Sequence, residues 1–258
     1  MDNSFLSIVV FLILTIIYFA VKYFKPSAAR SAIIVYFVVT VLIQFGLNVN
    51  TTKELCGFSN VGMAFLVTFI PWIIIFGLLN VSLMMFPSWK SPFSNTIGYL
   101  VVWIAGIRQL LTDKILKKSI ESDFTPGQMK GGSRSENEML IESIQHIYSD
   151  PSLLVNEITP QNYDSFWQRM KPLFRRGAED YKESLRKMVI LKDIVAESVW
   201  YMLGGGLITS ISSNYIITKG CTRSVDQMKE MHEKHEKDEQ KIHEIKEKQE
   251  NRVYYTRD

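Results

Sequence analysis

The chain alternates between long stretches without charge and stretches dense in charge. Four runs contain no Asp, Glu, Lys or Arg: residues 5–21, 31–47, 61–86 and 199–217. A soluble helix needs a polar face in contact with water, whereas a helix crossing a bilayer core about 30 Å thick needs roughly 20 apolar residues. The pattern therefore predicts membrane-spanning helices over about 4–24, 31–47 and 61–86, and a last transmembrane helix over 193–218.

A shorter apolar stretch leaves the number of spans open. Residues 94–107 carry no charge, but four basic residues beginning with Arg108 follow them. If this stretch crosses the bilayer, these residues lie on the non-cytosolic side, against the positive-inside rule; if it is interfacial or re-entrant, they stay cytosolic. The sequence predicts a transmembrane region over 1–116 with a short fourth segment at 94–111, and either four or five spans in total.

Basic residues near the first two spans predict the orientation of the chain. Lys22, Lys25 and Arg30 crowd the first short loop, which is therefore expected on the cytosolic side, with the N-terminus across the membrane. No positive n-region precedes the first apolar run, so we expect a retained span and not a cleaved signal peptide. The next loop, 48–60, then faces the other side, and its Asn-Thr-Thr sequon makes Asn50 a candidate N-glycosylation site.

Charged blocks predict the parts of the chain that contact water. Residues 117–192 are expected to form a small soluble helical domain, with one helix starting at Thr159 and Pro160. Trp167 and Phe174 belong to a bulky apolar stripe that either packs inside this domain or docks on a partner. From Arg176 the chain is predicted to be helical without interruption into the last span.

The C-terminal residues 219–258 predict a charged helical tail. Ile242 and Ile245 lie on a heptad seam that is half polar, so a self-sufficient coiled coil is not indicated. Docking of this seam on another protein is more plausible than self-pairing. A single solvated helix is the alternative.

The last span holds two features that could carry interactions. Gly204, Gly205 and Gly206 give it a face of small residues on which another helix can pack closely, although consecutive glycines could also be a flexible break. Glu197 at its start and Arg108 after the fourth segment are ionisable residues near lipid. One hypothesis is that they pair and lock the last helix against the fourth segment; the alternative is that both reach interfacial water.

Composition and motifs exclude several classes of function. The formal net charge is only +3, and the two signs alternate along the chain, which argues against nucleic acid as a partner. The two cysteines exclude a disulfide framework but permit a single bridge. No phosphate-binding loop, nucleophile elbow, zinc-protease helix or paired-cysteine motif is present, so we expect no enzyme and predict no catalytic, cofactor or metal residues. The few polar residues within the spans argue against conduction.

Three segments in the N-terminal half carry a resemblance to a known family. They are NVNTTKELCG at 48–57, FIPW at 69–72 and PSWKSPFSNTIGY at 87–99. In these segments the chain resembles multi-span virion membrane proteins of large eukaryotic DNA viruses, such as the chlorella and giant amoeba viruses. The resemblance implies a minor capsid-associated protein of the internal membrane, derived from the host endoplasmic reticulum, beneath an icosahedral capsid.

The resulting expectation is an all-α, multi-span transmembrane helical protein with a small helical soluble domain and a long charged C-terminal helix. The resemblance implies a structural virion protein that ties the lipid bilayer to capsid or minor capsid proteins, and further copies of itself are an additional candidate partner. It carries over no catalytic residues and no cofactor. Two alternatives stay open: a channel or transporter-like protein, and an accessory protein that shapes endoplasmic reticulum membranes.

Overall fold

The computed structural model describes residues 3–117, 146–219 and 225–250. Within these ranges the fold is all-α, as predicted, and the β-type pairing is an isolated antiparallel bridge between Leu116 and Phe174. Four helical stretches are long and apolar enough to cross a membrane. They indicate a membrane protein, and the short segment after Lys90 is not among them.

The first three of these stretches follow one another along the chain. They are α1 (Asn3–Phe24), α2 (Ala29–Cys56), and α3 (Val61–Pro71) continued by a π-helical turn (Trp72–Phe76) into α4 (Gly77–Met85). The π-turn directly follows Pro71, whose ring and missing N–H disturb the regular hydrogen-bond ladder. Helix α2 is longer than the predicted 31–47, so residues 48–56 are helical and not a loop.

Polar residues at the end of α2 stay helical because their side chains bond within the helix or to the next one. Thr51 Oγ1 donates to Leu47 O at 2.9 Å, and Thr52 Oγ1 donates to Val49 O at 2.8 Å. Asn48 Nδ2 donates to Thr68 Oγ1 of α3 at 2.7 Å. The helix then ends at Gly57, whose φ of 70° is the left-handed conformation that commonly closes a helix.

The segment after α4 runs along the water-facing part of the last long helix. It comprises α5 (Ser91–Phe93), a π-turn (Ser94–Gly98), α6 (Tyr99–Ile104), α7 (Ile107–Gln109) and a second π-turn (Leu110–Ile115). Gly106, with φ of 93°, reverses the chain between α6 and α7. A Cβ on Gly98 would lie 2.6 Å from Lys192 O, so this glycine permits close packing against the last long helix.

The middle part of the chain forms a small domain with its own core. Its helices are α8 (Ser152–Glu157), α9 (Tyr163–Met170) and the start of α10 (Lys182–Lys219). Buried residues from before position 117 join this core, including Val102, Ile107, Leu111 and Ile115. The domain therefore takes in the end of the fourth segment in addition to the predicted 117–192.

Two predicted helix starts in this domain are wrong. Helix α9 begins at Tyr163 instead of Pro160, because Thr159 and Asn162 bond to each other's backbone N–H and form a turn. The last long helix begins at Lys182 instead of Arg176, because Gly177 has a φ of 85° and starts a short 3-10 turn. Positive φ at one glycine thus interrupts a sequence that otherwise favours helix.

Helix α10 is shared by the domain and the membrane bundle. Leu185 and Val189 are buried in the core of the domain, whereas Tyr201 and Ile208 are buried in the core of the bundle. With 38 residues, the helix is about 57 Å long at 1.5 Å per residue. One rigid element therefore connects the two cores.

The tail contributes the final helix, α11 (Val225–Glu250). Its described side chains are exposed, among them Ile242 at 54% and Ile245 at 57%. Opposite charges three residues apart lie at ion-pair distance, such as Lys241 Nζ and Asp238 Oδ1 at 3.5 Å. Exposed pairs of this kind stabilise a solvated helix by only a few tenths of a kcal/mol, about 0.3 each. In the sequence, residues 124–133 have the composition of a linker, and Ser135 with Glu138 predicts a helix start. Both lie outside the described residues.

Candidate functional site

Four charged side chains meet where α10 passes from the domain into the bundle. Lys90 Nζ lies 2.5 Å from Asp193 Oδ2 and 3.7 Å from Glu197 Oε2, and Lys22 Nζ pairs with Glu197 Oε1. The exposed fractions of these side chains run from 9% for Lys90 to 24% for Lys22. We call this group, Lys22, Lys90, Asp193 and Glu197, the junction cluster.

The predicted pair between Arg108 and Glu197 is wrong. Both carboxylate oxygens of Glu197 already face lysines of the junction cluster, one from α1 and one from the turn after α4. Arg108 is exposed on α7, beyond the chain reversal at Gly106. Glu197 therefore locks α10 against α1 and the α4–α5 connection, and not against the end of the fourth segment.

Positive and negative side chains alternate in the junction cluster, and this order stabilises it. The two carboxylates lie one helical turn apart on α10, and Lys90 bridges them. Each charge thus has an opposite charge within 4 Å, which offsets much of the cost of its partial removal from water. The cluster has no net charge.

A layer of polar and aromatic contacts lies directly below the junction cluster. Tyr201 donates a hydrogen bond to Asn80 Oδ1 of α4, and the Trp200 indole N–H donates to Trp89 O at 2.9 Å. The Phe93 and Trp200 rings meet edge to face at 5.1 Å. These contacts fix α10 against the chain that enters and leaves the bundle at this end.

Lys192 is a buried cation just above the cluster. Its side chain is 1% exposed; Nζ donates to Val155 O at 2.6 Å and lies 3.4 Å from Asn95 Oδ1. Val155 belongs to α8 of the domain and Asn95 to the fourth segment. A buried ammonium without such acceptors is costly, so Lys192 ties three elements together at one point.

The predicted glycine face of the last span contains two tight helix contacts. A Cβ on Gly205 would collide with the Phe11 ring of α1, and a Cβ on Gly204 would lie 2.7 Å from Leu79 Cδ2 of α4. Gly206 has nothing within 4 Å. All three glycines lie within the continuous α10, so close helix packing, and not a flexible break, is the role that the structure gives Gly205.

Trp167 and Phe174 pack against each other inside the domain. Their ring centroids are 4.5 Å apart, and Trp167 is fully buried. The Trp167 indole N–H donates to Glu179 Oε2 at 3.0 Å. Nearby, Tyr163 donates to Lys182 O at 2.5 Å, and burial raises the pKa of its hydroxyl far above the ordinary value. Neither Trp167 nor Phe174 is available as a docking surface.

The opposite end of the bundle carries a disulfide-bonded cysteine. Cys56, the last residue of α2, is disulfide-bonded, and Cys221, the only other cysteine, lies outside the described residues. Asn50, the candidate glycosylation site, is exposed on α2 two turns earlier and donates to Glu54 Oε1 at 2.8 Å. Its partner in the sequon, Thr52, is fully buried.

A polar cavity of about 380 Å³ opens beside the junction cluster. Its lining includes Lys22, Lys90 and Glu197 of the cluster, Arg30 of α2 and Gln161 of the domain, together with several apolar residues. We call this space the junction cavity. A second space of about 280 Å³ shares Lys90 and Gln161 with it and extends beneath the domain.

Comparison with known proteins finds no matching family model, no match among curated proteins and no match among solved structures. Among residues 3–117, 146–219 and 225–250, no three His, Cys, Asp or Glu side chains are grouped as metal ligands. The arrangement at the junction therefore offers ion pairing and packing, and its two carboxylates are both engaged with lysines.

Sequence reasoning missed three of the four junction residues. In the sequence, Lys22 counts only toward the positive charge of the first short loop, and Lys90 and Asp193 only flank apolar runs. The sequence carries one sign of a shared site: each of these residues lies within a few positions of the end of an apolar run, as Glu197 does. Charges at such positions meet at one membrane surface if the helices pack together, but the sequence does not indicate which lysine faces which carboxylate.

Proposed function

We propose that this protein is a structural membrane protein of a virion, in which it anchors the internal membrane to the icosahedral capsid or to minor capsid proteins. The viral setting is supported by the resemblance of the segments at 48–57, 69–72 and 87–99. The anchoring role is supported by one observation above all: α10 is a single helix buried at one end in the domain core and at the other in the bundle core.

A continuous helix suits an anchor because it transmits force without a hinge. A partner that binds the domain pulls on α10, and the pull passes through the junction cluster to α1 and the α4–α5 connection. Lys192 adds a third attachment between the domain and the fourth segment. The domain is thus held at a fixed place on the bundle and is not a freely tethered module.

Two independent features support an orientation in which the domain is cytosolic. Lys22, Lys25, Arg30 and Lys90 all lie at the domain end of the bundle, the side that the positive-inside rule assigns to the cytosol. The disulfide-bonded Cys56 lies at the other end, and disulfides persist in oxidising compartments such as the lumen of the endoplasmic reticulum. A capsid that assembles on the cytosolic face would meet the domain.

The orientation can be tested in sealed microsomes with a maleimide that does not cross membranes. We expect Lys25→Cys to be labelled from outside without reduction. Cys56 should be labelled only after the microsomes are permeabilised and reduced. Labelling of Cys56 in sealed, unreduced microsomes, or protection of Lys25→Cys, would contradict this orientation.

The virion role can be tested by cross-linking mass spectrometry on purified particles. We expect many copies of the protein per particle and cross-links from lysines of the domain, such as Lys171 and Lys182, to capsid or minor capsid proteins. Absence of the protein from particles that retain their membrane would refute the proposal. Presence in the endoplasmic reticulum of uninfected cells would instead favour the membrane-shaping role.

Ion conduction is the main competing function, and the described part of the bundle gives it little support. Aromatic side chains fill its centre: Phe11 and Trp72 lie 5.5 Å apart, and Phe76 and Tyr201 lie 4.9 Å apart. Several buried polar groups are bonded in pairs, such as Ser7 with Gln44 at 2.5 Å. Ion flux through liposomes that contain the purified protein would overturn the anchor proposal.

A further inference from the structure

We infer that the junction cavity binds the headgroup of a membrane phospholipid with net negative charge. Its lining carries three cationic side chains, Lys22, Arg30 and Lys90, and a single carboxylate, Glu197. Including Asp193, which neutralises Lys90 from outside the cavity, one positive charge still lacks a counter-charge. A phosphate diester is the anion that a bilayer supplies at this depth.

Of the three cations that line the junction cavity, Arg30 is the one outside the junction cluster. It is exposed at the start of α2 and lines the cavity, and among the described residues it makes no ion pair. Its guanidinium can bind two phosphate oxygens at once, a geometry for which arginine is suited. Lys22 and Lys90 add positive potential from the wall of the cavity.

The rest of the cavity fits the remaining parts of a phospholipid. The apolar part of its lining includes Ile33, Leu83 and Met84. Met84 is 76% exposed, beside Met85 at 67%, so apolar surface continues from the cavity onto the outside of α4, where acyl chains can pack. Gln161 of the domain and Asn80 below it supply side-chain amides for the polar part of the headgroup.

Cavity size and depth also match such a ligand. A volume of about 380 Å³ lies within the range of small-molecule sites and is large enough for a headgroup and its glycerol. The cavity lies level with Tyr18 and Lys22, at the end of α1 where the apolar run meets the first basic loop. Headgroups occupy this level of a bilayer.

Residue Lys25 provides a matched control for Arg30. It is an exposed basic residue in the same loop, but it does not line the cavity. Removal of either positive charge weakens general attraction to an anionic membrane surface by a similar amount. Only the substitution of Arg30 also removes a side chain that binds the phosphate in the cavity.

The test is a titration of the full-length protein in detergent micelles with phosphatidylglycerol, in which native mass spectrometry counts the retained lipid. We expect Arg30→Gln to weaken binding roughly tenfold, the loss that corresponds to one charge-assisted hydrogen bond. Lys25→Gln should change the dissociation constant by less than about twofold, as expected for an exposed charge. Circular dichroism should give both variants the wild-type helix content.

Three outcomes would overturn this inference. One is equal weakening by Arg30→Gln and Lys25→Gln, which would mean a diffuse surface attraction. Another is that phosphatidylcholine binds as tightly as phosphatidylglycerol. The third is displacement of bound lipid by inorganic phosphate alone, which would assign the cavity to a free anion and not to a lipid headgroup.

Discussion

The bundle and the domain share one helix and both have apolar cores, yet they expose opposite kinds of side chain. In the bundle, Ile34 and Leu78 are 64% and 62% exposed, whereas Gln44 is 1% exposed. In the domain, Tyr163 and Trp167 are fully buried, and charged residues such as Arg186 lie outside. An apolar exterior with polar groups bonded inside is what lipid favours, whereas a charged exterior over an apolar core is what water favours.

The difference shows that the two cores are stabilised by different forces. Burial of apolar surface from water stabilises the domain, at about 25 cal/mol per Å². Lipid is as apolar as the helix interior, so the bundle depends on close van der Waals packing and on hydrogen bonds between helices. Substitutions in the two regions should therefore change the free energy of unfolding by different amounts and through different mechanisms.

The largest effect is expected in the domain. Trp167→Ala should lower the free energy of unfolding of the domain by about 3–5 kcal/mol, because it removes a fully buried indole from a core that water stabilises. Denaturant unfolding of the full chain in micelles measures it. Trp103→Ala is the control, since Trp103 is 48% exposed, and it should have little effect. Equal losses for the two variants would contradict a water-stabilised core.

The next effect is expected at the junction between the two regions. Glu197→Gln should lower the unfolding free energy by about 2 kcal/mol, a value reduced from that of a fully buried pair because the charges are partly exposed. It leaves Lys22 without its carboxylate. Thermal unfolding in micelles measures the loss. The control is Arg108→Gln, and a loss as large for this exposed residue would restore the pair that the sequence suggested.

Helix packing in the bundle should give an effect of comparable size through a different mechanism. Gly205→Leu forces the Phe11 ring to move and should cost about 1–3 kcal/mol, the usual range for overpacking. Gly206→Leu, which meets nothing within 4 Å, is its matched control. Thermal unfolding of both variants in the same detergent tests the contrast. If both substitutions have the same effect, the glycines act through backbone flexibility and not through packing.

Hydrogen bonds inside the bundle should contribute less again. Gln44→Met removes the partner of Ser7 and should cost about 0.6 kcal/mol, the average for side-chain hydrogen bonds between membrane helices. The lipid-facing Leu42→Met, at 56% exposure, is the control and should be neutral. A cost for Gln44→Met as large as that for Trp167→Ala would remove the distinction between the two cores.

The smallest effect is expected in the tail. Ile242→Ser together with Ile245→Ser should change the unfolding free energy of the bundle and domain by less than about 0.5 kcal/mol, because both side chains are exposed. Thermal unfolding again measures it. A large loss would mean that this seam of α11 packs against the rest of the chain. The docking hypothesis for the tail instead requires a separate partner to cover the seam.

Much of the fold follows from local patterns of sequence. Charge-free runs predict the spanning helices, because a bilayer excludes unpaired charge along the whole length of a helix. Bulky apolar residues near Trp167 predict a packed stripe, and small residues at Gly204–Gly206 predict a close helix contact. None of these inferences requires knowledge of which helix lies beside which.

Other features depend on single backbone angles or on distant partners. The sequence places Gly177 inside a predicted helix and Gly106 inside the fourth segment, yet their positive φ values decide where α10 starts and where the fourth segment turns. The polar end of α2 predicts a loop, but Asn48, Thr51 and Thr52 find hydrogen-bond partners within α2 or on α3, and the helix continues to Cys56. The periodicity of apolar residues predicts neither the φ value of a glycine nor the bonding partner of a polar side chain.

The sequence by itself determined an all-α chain with four apolar helices, since the solvent of each segment is set by its own side chains. Tertiary structure alone decided that Glu197 pairs with Lys22, 175 residues away, and that Lys90 reaches Asp193 across 103 residues. Each charge could reach several partners on the membrane surface, and only the packing of α1, α4 and α10 against one another brings these four atoms within bonding distance.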